Sequence, residues 1–219
     1  MDQAVVLFGG TFNPVHHGHL IVARAVAEHF GFRRITLVPA ALSPHKAPPG
    51  ASGVVEPTAA ERLAMVRLAT ADDDLFEVSD MDLTRPPPSY TCETLRAARD
   101  AHGPDTPLYW IIGADMLADL PAWRQAEDVL SLANVITAAR PGCGPQPEEA
   151  LAKLRTRLPG DLVGKLAEGI VRTPLVEISS TDIRRRVAAG RPIRYLTPHS
   201  VVDYIEGARL YARAAPGRE

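Results

Sequence analysis

The first twenty residues of the chain combine a short apolar run, a turn of small residues and a helical pattern. The run Ala4–Phe8 is typical of a buried parallel strand, and a helix is predicted from Gly18 onward. Between them the chain reads GGTFNPVHHGH, Gly9–His19, where the glycines let a ligand approach the main chain closely. Because such a turn gathers amide N–H groups at a helix N-terminus, we predict that it binds an anion.

Two histidines, His16 and His19, stand three residues apart where this turn joins the predicted helix. Their imidazoles can present donors to one point, and phosphate is an anion that such donors bind. Zinc binding is the weaker interpretation, because no further Cys, Asp or Glu stands nearby at ligand spacing. We therefore predict a phosphate site and no metal ion held by the protein itself. His17, between them, is interpreted as structural or exposed.

Apolar runs alternate with helical patterns along the rest of the chain. This order predicts an α/β fold with a doubly wound, mostly parallel sheet, in a single domain of residues 1–213. We expect a small C-terminal helical subdomain at about residues 179–213 and a tail at 214–219. The predicted strands are Ala4–Phe8, Arg34–Pro39, Phe76–Ser79, Leu108–Gly113, Val135–Ala139 and Val171–Ile178. The predicted helices are Gly18–Phe30, Thr58–Ala71, Thr91–His102, Gln125–Leu132, Glu148–Arg157, Thr181–Ala189 and His199–Tyr211.

The composition is that of an ordinary globular protein, with 46% hydrophobic and 23% charged residues among 219. The net charge of −2 argues against nucleic acid or an anionic membrane as a partner. No apolar run approaches the ~20 residues of a membrane helix, and no signal-peptide pattern is present. Cys92 and Cys143 lack metal-ligand spacing, so we expect a cytoplasmic protein. The sequence leaves open whether copies form a homo-oligomer.

A second polar segment, ISSTDIR at Ile178–Arg184, follows the last predicted strand. Its hydroxyls can cap a helix whose first amides bind an anion, and the guanidinium of Arg184 suits a polyphosphate. The alternative is a plain helix cap with Arg184 in solvent. Doubly wound sheets bind ligands beyond the carboxyl ends of their strands. The segments that we expect to meet there are Gly9–His19, Pro39–Lys46, Gly113–Asp115, Arg140 and Ile178–Arg184.

Together, GGTFNPVHHGH and ISSTDIR resemble the nucleotidyltransferase family that carries HxGH and ISSTxIR signatures. Further segments narrow the resemblance to the bacterial nicotinate mononucleotide adenylyltransferases and span most of the chain. They are PHK at 44–46, PSYTCETL at 88–95, GAD at 113–115, LPAWR at 120–124 and RP at 140–141. Asn13 departs from the pattern, because many members have Asp there. We expect little effect, since both residues cap turns.

The resemblance implies a Rossmann-like nucleotidyltransferase fold and adenylyl transfer from ATP to nicotinate mononucleotide, giving deamido-NAD and pyrophosphate in NAD biosynthesis. Its partners would be these two substrates, with Mg²⁺ carried by ATP. The implied catalytic residues are His16, His19 and Arg184. The implied ATP-binding residues are Gly9, Gly10, Thr11, Phe12, Gly18, Gly113, Asp115, Ile178, Ser179, Ser180 and Thr181. Lys46 and Arg140 would contact phosphate, and the nicotinate mononucleotide would be bound by Thr91, Trp123 and Arg124.

Three other functions stay open at this point. A pantetheine-phosphate adenylyltransferase shares the fold but lacks the Tyr-Thr-x-x-Thr-Leu and Gly-Ala-Asp…Trp segments found in this chain. A nucleotide-binding sensor would keep the fold without the chemistry. Class I aminoacyl-tRNA synthetases share the His-x-Gly-His turn, but this chain has no Lys-Met-Ser-Lys-Ser-like segment and no net basic charge.

Several single residues have structural interpretations beside the functional ones. Trp123 can be a core or groove aromatic, Thr91 a helix cap and Arg140 a solvent-exposed side chain. Trp110 lies inside a predicted strand and is assigned to the core.

Overall fold

The computed structural model describes residues 4–44, 54–139 and 147–213. Six strands in these ranges form one sheet in which every pairing is parallel. Its order, β3-β2-β1-β4-β5-β6, confirms the predicted doubly wound α/β class. The strands are β1 Val5–Gly10, β2 Ile35–Pro39, β3 Phe76–Val78, β4 Leu108–Gly113, β5 Asn134–Ala139 and β6 Ile170–Arg172.

Helices cover both faces of the sheet. They are α1 His17–Phe30, α2 Ala59–Thr70, α3 Thr91–His102, α4 Ala114–Leu117, α5 Ala126–Leu132, α6 Pro147–Leu154, α7 Gly160–Glu168, α8 Ser180–Ala188 and α9 His199–Gly207. A short 3₁₀ turn, Leu120–Ala122, lies between α4 and α5. Among the described residues, no helix has the length and apolar character needed to cross a membrane.

Successive residues of the central strands face opposite sides of the sheet, which is why these strands are apolar throughout. Val6 and Ile111 belong to a core shared with α1, α2, α8 and α9. Their neighbours Leu7 and Ile112 belong to a second core, packed against α3, α5, α6 and α7. The C-terminal helices α8 and α9 thus bury their apolar faces against the same sheet as α1.

The predicted bounds of α3 and β4 are confirmed to the residue, whereas the strand predicted at Val171–Ile178 is wrong beyond Arg172. The N–H of Thr173 still reaches the carbonyl of Ala139, at 2.8 Å. Pro174 follows and has no N–H with which to continue the ladder. The short helices α4 and α7 were not predicted, because α4 has only four residues and α7 follows a proline and contains two glycines, which are typical of loops.

The strand order reverses between β1 and β4, which are neighbours in the sheet. Connections from the carboxyl ends of these two strands leave toward opposite faces, so a crevice forms between them. Gly10 ends β1 and leads into α1, while Gly113 ends β4 and leads into α4. The fold therefore brings the two glycine-containing turns of the sequence to one edge of the sheet.

Candidate active site

A cavity of about 550 Å³ lies beyond the carboxyl ends of β1 and β4. Segments from four distant parts of the chain form its wall: Gly9–His19, the start of Pro39–Lys46, Gly113–Asp115 and the start of Ile178–Arg184. The predicted site residues that line it are Gly9, Gly10, Thr11, His16, Gly18, His19, Thr91, Gly113, Asp115, Trp123, Arg124, Ile178, Ser179, Ser180 and Thr181.

The two histidines of the glycine–histidine turn (Gly9–His19) form a stacked pair at the start of α1. Their ring centroids are 3.7 Å apart with an interplanar angle of 29°. The main-chain N–H of His16 donates to Nδ1 of His19 at 3.2 Å. A neutral His19 must therefore carry its proton on Nε2, which makes that atom a hydrogen-bond donor. The ring of Phe12 packs edge-on against His19 at 5.1 Å and holds it in place.

Two glycines of this turn have little or no room for a side chain. A Cβ on Gly18 would lie 3.0 Å from Nδ1 of His16, so a side chain there would displace the imidazole. A Cβ on Gly9 would overlap the indole ring of Trp110, which is buried as predicted. Trp110 also contributes to the cavity wall, so it links the glycine–histidine turn to β4.

Three consecutive carbonyl groups in the glycine–histidine turn accept hydrogen bonds from the C-terminal part of the chain. Nη1 of Arg184 donates to the carbonyl of Asn13 at 2.8 Å, and Oγ of Ser180 donates to that of Pro14 at 2.9 Å. Oγ1 of Thr197 donates to that of Val15 at 2.8 Å. We call Ser180, Arg184 and Thr197 the C-terminal clamp. It fixes the conformation of the turn and satisfies carbonyls that would otherwise be left without partners.

The side chain of Asn13 is held by two further groups. Its Oδ1 accepts from the Tyr211 hydroxyl at 2.6 Å, and its Nδ2 donates to Oε2 of Glu56 at 3.2 Å. These bonds use both halves of a carboxamide, so an Asp at this position would place two carboxylates together. The Asn13 side chain therefore binds distant residues and does not cap a local turn. The expectation that Asn and Asp are interchangeable here loses its physical basis. Burial raises the pKa of Tyr211 far above its usual range.

Arg62, on α2, is a buried cation that the sequence did not single out. It donates to the carbonyl of Thr11 at 2.7 Å and to that of Ala41 at 2.8 Å. It therefore joins the glycine–histidine turn to the segment that follows β2. Burial lowers the pKa of Arg62. A charged residue beside the apolar run Leu63–Val66 was the only signal in the sequence, and surface arginines produce the same pattern.

The other end of the cavity is lined by aromatic and charged side chains around the start of α3. Thr91 begins this helix, and Tyr90 precedes it without a side-chain cap. The guanidinium of Arg124 lies 4.4 Å from the ring centroid of Tyr90 and 3.4 Å from Oε1 of Glu93. Nε1 of Trp123 is buried and has no hydrogen-bond partner among the described residues. A buried N–H without a partner is uncommon and fits a position that meets a ligand acceptor.

Some predicted site residues are placed elsewhere. Phe12 is buried in the core behind His19, so only its main chain is near the cavity. Arg184 is not among the residues that line the cavity, and its Nη2 donates to Oγ1 of Thr181 at 3.4 Å. Lys46 and Arg140, together with Cys143, lie outside the described residues. The described part of the wall also contains Asp82 and Met116, which the sequence did not mark, and Ser89 and Tyr90, which belong to the PSYTCETL segment but were not predicted as site residues.

Residues 7–186 match the Cytidylyltransferase-like family. A protein of Roseiflexus sp. strain RS-1 named "Probable nicotinate-nucleotide adenylyltransferase" is 45% identical over 94% of this chain and 96% of its own length. One of the same name from Synechococcus sp. strain JA-3-3Ab is 43% identical, over 96% of this chain and 95% of its own. The chain belongs to the nicotinate-nucleotide adenylyltransferases of the cytidylyltransferase-like family.

One solved structure has a similar fold. It is the Plasmodium falciparum nicotinic acid mononucleotide adenylyltransferase complexed with NaAD. The superposition has a TM-score of 0.70 and covers 95% of this chain and 97% of that one, at 16% identity. At that identity the likeness supports the Rossmann-like nucleotidyltransferase fold alone.

Proposed function

We propose that the chain transfers the adenylyl group of ATP to nicotinate mononucleotide, producing deamido-NAD and pyrophosphate. The observation that carries the proposal is a single cavity with two chemically different ends. The phosphate end consists of the glycine–histidine turn and the start of α8, and the acceptor end consists of Tyr90, Thr91, Trp123 and Arg124. The names of relatives that share 43–45% of the sequence support the same reaction.

The reaction is a displacement at the α-phosphorus of ATP. A phosphate oxygen of nicotinate mononucleotide forms the new P–O bond, and the bond to the bridging oxygen of pyrophosphate breaks. The attacking phosphate is already ionised near pH 7, so no general base is required. The protein's contribution is therefore the positioning of the two substrates and the stabilisation of charge.

At the phosphate end, His16 and His19 would contact the ATP phosphates. Because Nδ1 of His19 accepts from the main chain of His16, the Nε2–H of His19 can donate to an oxygen of the transferring group. Ser180 and Thr181, at the N-terminus of α8, would hold the β- and γ-phosphates together with Arg184 and Lys46. Thr11 would add a further contact.

For Arg184, this role requires the guanidinium to keep its bond to Asn13 while its remaining N–H groups face the nucleotide.

The described residues contain no group of three His, Cys, Asp or Glu side chains that could hold a metal ion. We propose that Mg²⁺ enters as part of the MgATP substrate, held by phosphate oxygens and water.

The adenosine would lie between the ends of β1 and β4. Gly113 caps α4, and Asp115 in the first turn of that helix can accept hydrogen bonds from ribose hydroxyls. Gly9, Gly10 and Ile178 would contact the nucleotide through their main chains. Arg140 remains a candidate for the mononucleotide phosphate.

At the acceptor end, Trp123 would stack on the pyridine ring, and the nicotinate carboxylate would meet the main-chain amides near Thr91 and Arg124. The start of α3 supports this role, because no side chain caps its first amides. Donors alone select the acid over the amide substrate, since a carboxamide NH₂ would face other N–H groups.

ATP and a free, buried Cys92 are both consistent with a cytoplasmic reaction.

The test is pyrophosphate release from MgATP with three acceptors in parallel: nicotinate mononucleotide, nicotinamide mononucleotide and phosphopantetheine. We expect strong preference for the first. Equal use of the first two would retain the reaction and refute the account of acid selection. Turnover of phosphopantetheine alone, or of none of the three, would overturn the proposed function.

A further inference from the structure

A buried carboxylate, Asp82, lies in the wall of the cavity but belongs to neither signature motif. Asp82 is only 5% exposed, and it lines the same cavity as Thr91 and Trp123. Carboxylates are rarely buried unless they are paired and hydrogen-bonded. The residues that surround Asp82 therefore indicate what it does.

Asp82 is bonded on several sides. Its Oδ1 accepts from Oγ1 of Thr94 at 2.7 Å and also from the guanidinium of Arg85. Ser89 lies close enough to the carboxylate to lower its pKa as well. Burial raises the pKa of Asp82, while these hydrogen bonds and the charge of Arg85 oppose the shift. The carboxylate and the guanidinium form a compact pair, so the wall gains little net charge there.

The same groups attach this pair to the first turn of α3. Nη2 of Arg85 donates to Oγ1 of Thr94 at 3.0 Å, and its Nη1 donates to the carbonyl of Glu93 at 2.7 Å. Thr94 is 1% exposed and is one turn away from Thr91. The network thus determines where the N-terminus of α3 sits relative to the cavity.

The segment that enters α3 is held from another side as well. Oγ of Ser89 accepts from the N–H of Ala41 at 2.9 Å, and the N–H of Ser89 donates to the carbonyl of Leu42 at 2.9 Å. Since Ser89 also contacts Asp82, the carboxylate lies between α3 and the segment that follows β2. Removing it would loosen the start of α3 without touching the glycine–histidine turn.

We propose that Asp82, Arg85 and Thr94 are positioning residues that fix the amides at the start of α3 for the nicotinate carboxylate. The inference rests on the proposed function, because it assigns that carboxylate to those amides. Displacing the amides by a fraction of an ångström weakens a charge-assisted hydrogen bond in the acid substrate. The amide substrate has no such bond to lose, so selectivity falls together with affinity.

The test compares Thr94→Val, Thr94→Ser and Asp82→Asn with the wild type. Thr94→Val keeps the volume and removes the hydroxyl, whereas Thr94→Ser keeps the hydroxyl. Asp82→Asn keeps an acceptor for Thr94 and removes the charge, so it serves if Thr94→Val fails to fold. Asp80→Asn is the matched control, because Asp80 is an exposed carboxylate in the same turn, paired with Arg67 at 3.4 Å. KM is measured for ATP, nicotinate mononucleotide and nicotinamide mononucleotide, and folding is followed by thermal unfolding.

We expect Thr94→Val and Asp82→Asn to raise KM for nicotinate mononucleotide by about tenfold and to lower the acid-over-amide preference by a similar factor. KM for ATP, and all constants of Thr94→Ser and Asp80→Asn, should stay within about twofold. Equal changes in KM for ATP and nicotinate mononucleotide would overturn the inference. An unchanged acid-over-amide preference in folded variants would overturn it as well. A wild type that does not use nicotinate mononucleotide would refute the proposed function instead.

Discussion

The two ends of the cavity are built in different ways. The phosphate end is held by residues that are far away in the sequence. The C-terminal clamp and Tyr211 bind Asn13, Pro14 and Val15, and each lies 166 to 198 residues further along the chain than its partner. The acceptor end is held by partners that are closer in the sequence: Asp82 and Thr94 are 12 residues apart, and Ala41 and Ser89 are 48 residues apart. The conformation of the phosphate end therefore depends on contacts that span almost the whole chain, whereas the contacts at the acceptor end span a much shorter part of it.

This difference predicts two kinds of mutational effect. A change at the phosphate end should lower turnover when it removes a donor, or lower global stability when it removes a partner of the turn. A change at the acceptor end should alter KM for one substrate and leave the fold and the other substrate alone.

The largest effect is expected for His19→Ala. Loss of the Nε2–H donor should lower kcat by about 100- to 1,000-fold, because this group would face the transferring phosphoryl. Steady-state pyrophosphate release measures the change, and circular dichroism checks the fold. His17→Ala is the control, since His17 does not line the cavity. Near-normal turnover of folded His19→Ala would remove this residue from the catalytic site.

The next effect is expected for Trp123→Ala at the acceptor end. Loss of ring stacking should raise KM for nicotinate mononucleotide by about tenfold, with KM for ATP nearly unchanged. Trp123→Phe retains a smaller ring and loses the buried Nε1–H, and it should show a smaller increase than Trp123→Ala if stacking dominates. If both substrates were affected equally, Trp123 would be a structural residue and the two ends would not be separable.

The sequence was sufficient where the signal is local. The strand Leu108–Gly113 is an apolar run that ends at glycine, and α3 ends at His102 because Gly103 follows with a φ of 86°. The two signature segments also predicted most of the cavity wall at the phosphate end. That prediction needed only the rule that parallel strands end at one edge of the sheet.

The sequence was insufficient where a residue acts through partners that only the tertiary fold supplies. Arg62 reaches two carbonyls in different loops, and Tyr211 lies in the last turns of the chain, yet both support the glycine–histidine turn. Asp82 stands among other acidic residues, and nothing in its neighbourhood marks it as buried. Spacing along the chain cannot reveal such contacts, because they depend on how distant elements pack.

Gly9→Ala tests how tightly the phosphate end depends on the sheet. Its Cβ would overlap the Trp110 ring, so we expect a loss of about 1–3 kcal/mol in the free energy of unfolding. Gly164→Ala is the matched control: it lies in α7 with open space around the new Cβ, and should stabilise the protein by about 0.5–1 kcal/mol. Urea unfolding measures both. Equal stabilities of the Gly9→Ala variant and the wild type would mean that the Trp110 ring moves aside easily and that the cavity wall formed by Gly9 and Trp110 is not rigid.

The smallest expected effect is that of Asn13→Asp, which removes one N–H donor at the phosphate end. The new carboxylate would face Glu56, where Nδ2 now lies 3.2 Å from Oε2, and we expect a loss of about 1–2 kcal/mol in unfolding free energy near pH 7. Adding Glu56→Gln should restore most of that loss, because the glutamine can donate to the aspartate. The double-mutant cycle, measured by urea unfolding, isolates this pair from the bond to Tyr211. Additive effects of the two changes would show that the turn does not depend on Glu56, and the phosphate end would then be supported by the C-terminal clamp, Arg62 and Tyr211.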